Sequence, residues 1–520
     1  MKLITTEKMR GLDEAAVREC GISSLDLMEK AGRVVARVVR SIIRDGGLKS
    51  GVLLLAGSGN NGGDAFVAAR HLLATGVRAR VILLADPTKV KGDARENLER
   101  LRRESPGALS VARTIGELME CASGLDDVDV IVDGVLGTGL KGDVRGHYAE
   151  AIFFMNGSNR KIVSIDIPSG LDGDSGEVHG VCVDAIATVT MGLPKLGLVV
   201  GEGPDHAGRV HVADIGIPGE LVEDVSSDRE LLVADDLYSL FVHRRRVSHK
   251  GNFGHVLIIA GSVGMTGAAA LAAMGALRAG AGLVTVGIPS GLNDILEVKL
   301  TEAMTVPLPQ TDEVTLSLEA AGRIKSVEAK FDSVVLGPGL STHPETVRLV
   351  KELALSLVVP KVIDADGLNA FAGDEAALSK IRGPAVLTPH PGEMGRLIRK
   401  GVAGVQGDRV GAAVDLAGRF GDTVVLKGAA TVIANPAEVF INSTGNPGMA
   451  SGGMGDVLAG MIGTYLAQGM NTLDAAKSGV FIHGAAGDLA ALQIGEAGLI
   501  ASDLLDRIPL VARRLHARDI

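Results

Sequence analysis

Residues 445–460 read Gly-Asn-Pro-Gly-Met-Ala-Ser-Gly-Gly-Met-Gly-Asp-Val-Leu-Ala-Gly, with one carboxylate, Asp456, among the glycines. After Asp456 apolar residues recur at helical spacing, which predicts a tight loop over 452–456 that opens a helix. The first amides of a helix lack partners and lie at the positive end of its dipole, and glycine lets an anion approach them closely. The pattern therefore indicates an anion pocket beside a carboxylate that can deprotonate a hydroxyl. The alternative is a glycine-rich helix entry that Asp456 caps.

The composition indicates a multidomain protein with aliphatic cores. A chain of 520 residues is too long for one ordinary core, so we expect two or three domains. Hydrophobic residues make up 46% of the chain, but aromatic residues only 2%. The net charge of -10 argues against a nucleic acid or an anionic membrane as the main partner, and we expect neither. Cys20, Cys121 and Cys182 lack the spacing of a zinc or disulfide framework, which fits a reducing cytoplasm.

One apolar segment, residues 266–288, is long enough to be considered as a membrane-spanning helix. It consists mostly of Ala and Gly, and the glycines at 280 and 282 fall where a helix would end. The sequence after them is rich in β-forming residues. We therefore predict a buried helix followed by a buried strand.

The first half of the chain alternates predicted strands with predicted helices. Residues 15–39 predict two helices with a break near Gly21, and strands are predicted at 51–56, 77–84, 128–132 and 162–167. The strands are near-continuous hydrophobic runs separated by helical segments. This pattern is typical of a parallel, doubly wound sheet.

Three polar, glycine-rich loops follow strands of this sheet, at residues 57–64, 133–143 and 166–174. Loops that follow parallel strands share one edge, so we expect the three to converge on one crevice. The first loop also fits a dinucleotide pattern, with Asp86 at a distance suited to a ribose contact. The alternative is that all three are turns whose Asp residues cap helices.

The same loops carry candidate ligands and acid–base groups. The oxygen ligands suit a simple cation better than a soft metal, and they come from Asn60, Asn61, Asp133 and Ser169. Asp166 and Lys195 can serve as an acid–base pair if the fold brings them together. Lys195 can instead be a phosphate contact or a solvated side chain.

The alternation fades after Ile217, and the acidic segment 218–236 is predicted to be a linker between domains 1–217 and 237–520. The second half again predicts strands that lead into polar loops, at 254–260, 283–288, 334–336, 361–363, 385–387 and 423–426. His390 lies between two prolines, a fixed position more natural for a ligand contact than for a core histidine.

Ordered motifs in both halves resemble known families. The second half resembles the ribokinase-like superfamily, with Gly-Met-Gly-Asp at 453–456 in the place of its anion hole and catalytic Asp. Within it, the motifs at 250–256, 337–340, 388–393 and 445–456 resemble those of ADP-dependent NAD(P)H-hydrate dehydratases. The first half resembles the NAD(P)H-hydrate epimerases through residues 27–32, 59–64, 133–143 and 166–170. The implied fold class is α/β with two domains, a Rossmann-like doubly wound sheet followed by a ribokinase-like α/β domain.

The resemblance implies that the first domain interconverts the R and S hydrates of NADH and NADPH (NADHX and NADPHX). The implied substrate contacts are Asn60, Asn61, Gly62, Gly63, Asp64, Gly137, Thr138, Gly139, Leu140, Lys141, Gly142, Asp143 and Asp166. A potassium ion (K+) would be held by Asn61, Asp133 and Ser169. Asp166 and Lys195 are the candidate catalytic residues.

The second domain would use ADP to phosphorylate the hydroxyl of the S hydrate and expel phosphate, with AMP as the other product. Dehydration needs hydroxide to become a good leaving group, and phosphorylation achieves this. The implied substrate contacts are Ala268, Gly339, His390 and the catalytic Asp456. The implied nucleotide contacts are Lys427, Gly428, Ala429, Ala430, Thr431 and Gly455. Mg2+ is expected to bind the nucleotide phosphates, although no local sequence motif identifies its protein ligands. We also expect a homo-oligomer.

Two alternatives remain at this point. The chain can be a vitamin-precursor kinase of the hydroxymethylpyrimidine or hydroxyethylthiazole type fused to a dinucleotide-binding module. Alternatively, the first half can be a dinucleotide sensor that binds without turnover. The products distinguish them, because a kinase leaves a stable phosphoester and a sensor leaves the ratio of the epimers unchanged.

Overall fold

The computed structural model describes residues 1–47, 51–123, 127–140, 142–241 and 244–518. The chain divides into two compact units, Lys2–Ser227 and Met1 with Asp228–Ile520. The division lies inside the segment 218–236 that was predicted as a linker. This segment contains a helix at Gly219–Asp224 and a strand at Glu230–Leu232, and the strand joins the sheet of the second unit.

The first unit is built on one sheet, with helices between the strands. Among the described residues its strands are β1 Gly51–Ala56, β2 Arg78–Leu83, β3 Leu109–Val111, β4 Val130–Gly134, β5 Lys161–Ile165, β6 Ala187–Met191 and β7 Arg209–Ala213. Its helices are α1 Thr6–Cys20, α2 Ser24–Asp45, α3 Asn60–Ala74, α4 Gly92–Glu104, α5 Ile115–Cys121, α6 Gly146–Gly157, α7 Gly203–Ala207 and α8 Gly219–Asp224. Gly21, with φ of 66°, separates α1 from α2 as predicted.

The strands follow the order β3-β2-β1-β4-β5-β6-β7, and every neighbouring pair is parallel. Alternate residues of β1 enter two different cores, Val52 and Leu54 on one face and Leu53 and Leu55 on the other. The sheet is therefore covered on both faces, which confirms the predicted doubly wound α/β class. Its strand order changes direction between β1 and β4, where parallel sheets open a crevice beyond the carboxyl ends of their strands.

The second unit is also an α/β sheet structure. Among the described residues its strands are β8 Glu230–Leu232, β9 His255–Ile259, β10 Leu283–Pro289, β11 Met304–Leu308, β12 Ser333–Leu336, β13 Lys361–Ile363, β14 Ala385–Leu387, β15 Thr423–Leu426, β16 Val432–Ala434 and β17 Val439–Asn442. Its helices are α9 Thr266–Ala279, α10 Asn293–Lys299, α11 Ala320–Lys325, α12 Pro344–Ser356, α13 Asp366–Asn369, α14 Pro391–Ile398, α15 Val402–Gly407, α16 Arg409–Phe420, α17 Met454–Ala467, α18 Thr472–Ile494, α19 Ala501–Leu505 and α20 Ile508–Ala517.

The order of this sheet is β11-β10-β9-β12-β13-β14-β15-β16-β17-β8. It is parallel except where β16 pairs with β15 and with β17. Since β9, β12, β13, β14 and β15 are parallel neighbours, the loops that follow them share one edge. The predicted strands at 361–363, 385–387 and 423–426 match β13, β14 and β15 residue for residue.

Helix α17 packs closely against α9 in the core of the second unit. A Cβ atom on Gly460 would lie 2.0 Å from the carbonyl oxygen of Ala272, so only glycine permits this approach. Helix α9 and strand β10 are the buried helix and strand predicted for residues 266–288. Within the described ranges, the length and apolar character needed to cross a membrane do not occur together in any helix.

Two of the predicted glycine loops are shorter in the structure because their last residues already belong to helices. Helix α3 begins at Asn60, so residues 60–64 form its first turn. Helix α17 begins at Met454 after Gly453, which has φ of 91°, and Asp456 is its third residue. Asp456 is therefore not the N-cap, and Gly453 in that position offers no side chain to cap the helix.

Candidate active sites

Asp133 is the buried centre of the first site. It is the fourth residue of β4, lies opposite Ser164 of the neighbouring strand β5, and has no exposed surface. Its carboxylate accepts hydrogen bonds from the Ser164 hydroxyl, from the Ser169 hydroxyl and amide, and from the amide of Val135. Burial raises the pKa of Asp133, and these hydrogen bonds oppose the increase.

Asn61 joins the three predicted loops at the same point. Its Nδ2 donates to the carbonyl oxygens of Leu136, at 2.9 Å, and Ile165, at 2.8 Å, which lie after β4 and at the end of β5. A Cβ atom on Gly137 would lie 2.6 Å from Asn61 Oδ1, so glycine keeps this oxygen uncovered. The structure thus brings the three loops together, as the sequence predicted.

Asp166 and Lys195 are in direct contact. Lys195 Nζ lies 2.5 Å from Asp166 Oδ1, and the same oxygen accepts bonds from the Thr190 hydroxyl and the Met191 amide. Lys195 Nζ also donates to Thr190 Oγ1 and to the Met191 carbonyl, so its three protons are all used. Lys195 is only 1% exposed, and its ammonium fixes the position of the Asp166 carboxylate. This arrangement favours a positioning role for Lys195, which we call the anchor of Asp166, over a role in proton transfer.

The backbone at Asp166 is unusual for a residue with a side chain. Its φ is 64°, and the amide of Ile167 donates to the carbonyl of Ile165 across it. Such conformations cost about 1–3 kcal/mol and concentrate at functional sites. The tight turn aims the Asp166 side chain at Lys195.

The remaining predicted contacts of the first site lie in two segments. Asn60, Gly62, Gly63 and Asp64 belong to the first turn of α3. Thr138, Gly139, Leu140, Gly142 and Asp143 follow β4, and Asp143 pairs with Arg145 at 3.2 Å. Lys141 lies outside the described residues. Asp86, the proposed ribose contact, caps a short turn through the amide of Thr88.

Asp456 is the centre of the second site. It lies in the first turn of α17, where backbone amides lack helical partners. Burial, together with the nearby carboxylate of Asp364, raises the pKa of Asp456 to about 7, although the charge of Lys427 opposes the increase. Its carboxyl group can therefore exchange protons near neutral pH.

Lys427 connects the end of β15 to the start of α17. Its Nζ atom lies 2.5 Å from Oδ1 of Asp364 and 3.9 Å from Oε2 of Glu393. A Cβ atom on Gly455 would lie 3.2 Å from the same nitrogen. The predicted nucleotide contacts Lys427 and Gly455 are thus adjacent, and the ammonium lies beside the amides of α17.

Residues 428–431 continue from Lys427 as a turn in which Gly428 and Ala429 are exposed. Thr431 Oγ1 donates to the carbonyl of Gly428 at 2.8 Å, and Ala430 has φ of 47°. Arg409 supports the turn, since its Nη2 donates to the carbonyls of Leu426 and Lys427.

His390 caps helix α14, and its side chain is 51% exposed. Its Nδ1 accepts the amide protons of Gly392 and Glu393, and its Nε2 lies 3.2 Å from Oε1 of Glu393. Burial, followed by the charges of Lys427 and Arg396, lowers the pKa of His390. The residue is fixed, as the flanking prolines predicted, and its exposed ring edge remains available to a ligand.

Ala268 and Gly339 lie against each other at the same sheet edge. Gly339 follows β12 with φ of 61°, and a Cβ atom there would lie 2.8 Å from Cβ of Met265 and 3.2 Å from Cβ of Ala268. Ser262 Oγ donates to the Gly339 carbonyl at 2.8 Å. Glycine at 339 therefore leaves room beside α9.

Sequence reasoning missed the residues that hold the predicted ones in place. Asp364 is buried and accepts bonds from Lys427 and Thr388, while Glu393 accepts the amide proton of His390. The sequence predicted that strands end just before residues 364 and 388. It could not predict which side chains Asp364 and Thr388 contact, because those contacts depend on which strands are neighbours in the sheet. Ser164 and Thr190 lie inside strands, where no sequence signal separates a polar anchor from an ordinary strand residue.

Two family models match the chain. The model described as NAD(P)H-hydrate dehydratase matches residues 256–510, and the model described as YjeF-related protein N-terminus matches residues 24–197. The curated protein "Bifunctional NAD(P)H-hydrate repair enzyme Nnr" of Moorella thermoacetica is 46% identical over 99% of this chain and 97% of its own length. A protein of the same name from Thermofilum pendens is 40% identical, again over 99% of this chain and 97% of its own length.

A solved structure is similar to part of the chain. It is an ADP/ATP-dependent NAD(P)H-hydrate dehydratase from Bacillus subtilis, co-crystallised with ATP and Mg²⁺. It is 30% identical, covers 55% of this chain and 98% of its own, and has a TM-score of 0.47. The alternative of a vitamin-precursor kinase gains no support from the near full-length relatives. The chain therefore belongs to the family of bifunctional NAD(P)H-hydrate repair enzymes.

Proposed function

We propose that this chain repairs hydrated NADH and NADPH in two steps. The first unit interconverts the R and S hydrates, and the second dehydrates the S hydrate with ADP as the phosphoryl donor. The small-molecule substrates are the hydrates and ADP, and the products are NAD(P)H, AMP and phosphate. The observation that carries the proposal is Asp456, a half-buried carboxyl in the first turn of α17, whose pKa is raised to about 7 by burial and the charge of Asp364 against the opposing charge of Lys427.

The second site supports phosphorylation followed by elimination. Asp456 takes the proton of the hydrate hydroxyl, and the freed oxygen attacks the terminal phosphorus of ADP, so that AMP leaves. Lys427 and the amides at the start of α17 stabilise the charge on the transferring group. The electron pair of the ring nitrogen then expels phosphate, and loss of a proton from the next carbon restores the ring double bond.

The proposal includes the substrate and nucleotide contacts of the dehydratase. Ala268, Gly339 and His390 hold the hydrate next to Asp456. Residues 427–431 and Gly455 hold the adenine nucleotide, with Lys427 on its phosphates. These assignments are supported by the contact of Lys427 with the glycine at 455 and by the shared edge of β12, β14 and β15.

In the first unit, Asp166 is the catalytic carboxylate and Lys195 its anchor. Epimerisation at a hydroxyl-bearing carbon requires a group that takes a proton, and the second oxygen of Asp166 is free of the three donors bound to the first. Residues 60–64 and 137–143 follow β1 and β4 and form the substrate crevice. The proposal is supported by the convergence of these segments on Asn61.

The residues around Asp133 have the right chemistry for K+. All candidate ligands are hard oxygens, from the carboxylate of Asp133, the amide of Asn61 and the hydroxyl of Ser169. Asp133 is completely buried without a cationic partner among the described residues, and a bound cation would compensate its charge. The ion would supply a fixed positive charge near the substrate phosphates, and it would hold the three loops together.

Mg²⁺ has no comparable site. Within the described ranges, no group of three or more His, Cys, Asp or Glu residues is arranged to hold a metal ion. Mg²⁺ would therefore arrive on the phosphates of the nucleotide, and none of the steps above depends on it. The predicted homo-oligomer and the cytoplasmic location stay predictions.

One assay tests the dehydratase. The full-length protein is mixed with S hydrate and ADP or ATP in turn, while phosphate and the ultraviolet absorbance of the dihydronicotinamide ring are recorded. We expect equal amounts of phosphate, AMP and reduced coenzyme with ADP. A stable phosphorylated hydrate without recovery of absorbance would identify a kinase instead.

A second assay tests the epimerase in the same protein without nucleotide. Pure R hydrate should relax towards the mixture of both epimers at a rate proportional to protein concentration. A dinucleotide sensor would bind the hydrate and leave its configuration unchanged.

A further inference from the structure

The first site has an anchored base but lacks an obvious acid. All three protons of the Lys195 ammonium are bonded to protein acceptors, so this residue cannot protonate a leaving hydroxyl. Loss of water from the hydroxyl-bearing carbon requires a proton donor. Another titratable group of the first unit must supply it.

Asp64 has the properties of that donor. It is the fifth residue of α3, is only 7% exposed and follows directly on the glycines of the substrate crevice. Among the described residues no hydrogen bond or ion pair to its side chain is present. A buried carboxylate without partners is strongly disfavoured, whereas a neutral carboxylic acid in the same place is tolerated.

Asp13 of helix α1 is a second carboxyl whose charge acts on Asp64. Its Oδ1 atom has almost no accessible surface, and no group in the described part of the chain forms a hydrogen bond with it. The charges that act on Asp64 are those of Asp166, Asp13 and Lys195, and those that act on Asp13 are Lys195, Asp166 and Glu14. Asp13, Asp64 and Asp166 therefore interact electrostatically with one another and with the ammonium of Lys195, which contacts Asp166 directly, and we call these three residues the carboxyl cluster.

The members of the carboxyl cluster have different environments. Asp166 accepts hydrogen bonds from an ammonium and two further donors, whereas the Asp64 side chain accepts none among the described residues. Burial, followed by the charges of Asp166 and Asp13, raises the pKa of Asp64 well above its usual range. Burial also raises the pKa of Asp13 to about 6. Environments that separate titratable neighbours in this way assign acid and base roles.

We propose that Asp64 enters epimerisation as a protonated carboxyl that gives its proton to the leaving hydroxyl, and that Asp13 is a positioning residue that keeps this proton on Asp64. The inference rests on the epimerase activity proposed above and deepens it. Asp64 gives its proton to the hydroxyl oxygen as the C–O bond breaks, the ring nitrogen supplies an electron pair to form C=N, and water leaves. Water then adds to the other face of the carbon while Asp166 takes a proton from it. The proton returns from Asp166 to Asp64 within the cluster, so atoms and charges balance.

The test compares Asp64→Asn, Asp13→Asn and the control Glu14→Gln in the full-length protein, with R hydrate as the probe. Glu14 is the exposed neighbour of Asp13 on the same helix, so its substitution removes one negative charge outside the cluster. Asp64→Asn should lower kcat for epimerisation by about 100-fold or more and leave KM within a few fold, because general acid catalysis contributes about 10²–10⁴-fold. Dehydration of S hydrate by the same sample should be unchanged.

The pH profile tests Asp13 separately. The wild-type rate should fall as pH rises and Asp64 loses its proton. Asp13→Asn removes a negative charge that raises the pKa of Asp64, so this fall should move to lower pH, while Glu14→Gln should leave it in place. Thermal unfolding shows whether each variant is folded. If Asp64→Asn does not fold, the pH profile of Asp13→Asn decides the question.

Two results would overturn the inference. One is an Asp64→Asn variant that epimerises within about threefold of the wild type. The other is an Asp13→Asn profile that coincides with the wild-type profile. Absence of epimerisation in the wild type would instead contradict the proposed function itself.

Discussion

Lys427 Nζ lies 2.5 Å from Oδ1 of Asp364, an ion pair in which the carboxylate is buried and the lysine is half-buried. Thr388 Oγ1 donates to the same carboxylate oxygen at 2.8 Å. Asp364 follows β13, and Lys427 follows β15, two strands away in the sheet. The pair holds the ammonium next to the backbone of Gly455, where a Cβ atom would lie 3.2 Å from Lys427 Nζ.

Gly455→Ala should impair nucleotide use. The new Cβ would lie 3.2 Å from Lys427 Nζ, closer than normal packing, and the nitrogen is held by Asp364 and cannot move freely. We expect the KM for ADP to rise about tenfold or more, because small misplacements at a catalytic site are costly. The matched control is Gly452→Ala in the same loop, where a Cβ meets nothing within 4 Å. Equal kinetics for the two variants would contradict the placement of Lys427.

Asp456→Asn should abolish dehydration and leave epimerisation intact, because the amide cannot take the hydroxyl proton. The expected loss in kcat is about 10²–10⁴-fold. In the wild type, dehydration should increase as pH rises through about 7, since only the ionised carboxylate acts as a base. Phosphate release by Asp456→Asn at nearly the wild-type rate would refute the assignment.

The same substitution should change the pH dependence of stability. The pKa of Asp456 is about 7 in the folded protein, above its ordinary value of 3.8, so folding favours the protonated form. Its stabilising contribution is complete below 3.8 and is lost as pH rises to about 7. Asp456→Asn should therefore be more stable than the wild type at pH 8 by on the order of 3 kcal/mol, and the difference should shrink towards pH 4. Thermal unfolding of both proteins across this range measures the effect.

Asp364→Asn should destabilise the second unit, because it leaves the half-buried ammonium of Lys427 without its nearest partner. Breaking a buried pair in this way costs about 3–5 kcal/mol. The double variant Asp364→Asn with Lys427→Met removes both charges and should recover much of that loss. Chemical denaturation of the three proteins checks the order, and a double variant no more stable than Asp364→Asn would contradict it.

Potassium should stabilise the first unit through the site around Asp133. Replacing K+ by Li+ should lower the melting temperature of the wild type, because an ion that binds only the folded state stabilises it by mass action. Ser169→Ala should reduce the difference between the two salts, since it removes one ligand. Identical melting temperatures in both salts would argue against a cation at this site.

Local sequence patterns predicted most strands and the loops that follow them. Residues 51–56 and 361–363 are strands with the predicted bounds, because each is a short run of mainly strand-forming residues that ends at a polar or glycine-rich loop. Helix entries were less accurate. At Asn60 and Met454 the helix begins inside the predicted loop, since tertiary packing overrides the low helix propensity of glycine.

The sequence by itself determined the α/β class, the family and the loops that carry Asp133, Asp166 and Asp456, because each loop is a local signal at the end of a strand. Only the tertiary structure decided that Lys195 and Lys427 are pinned by buried carboxylates, and that Asp13 of helix α1 joins the group around Asp64. These relationships depend on strand order and burial, which bring together residues far apart in the chain. Burial also sets the cost of each charge, so the proton-carrying role of a carboxyl cannot be read from its neighbours in sequence.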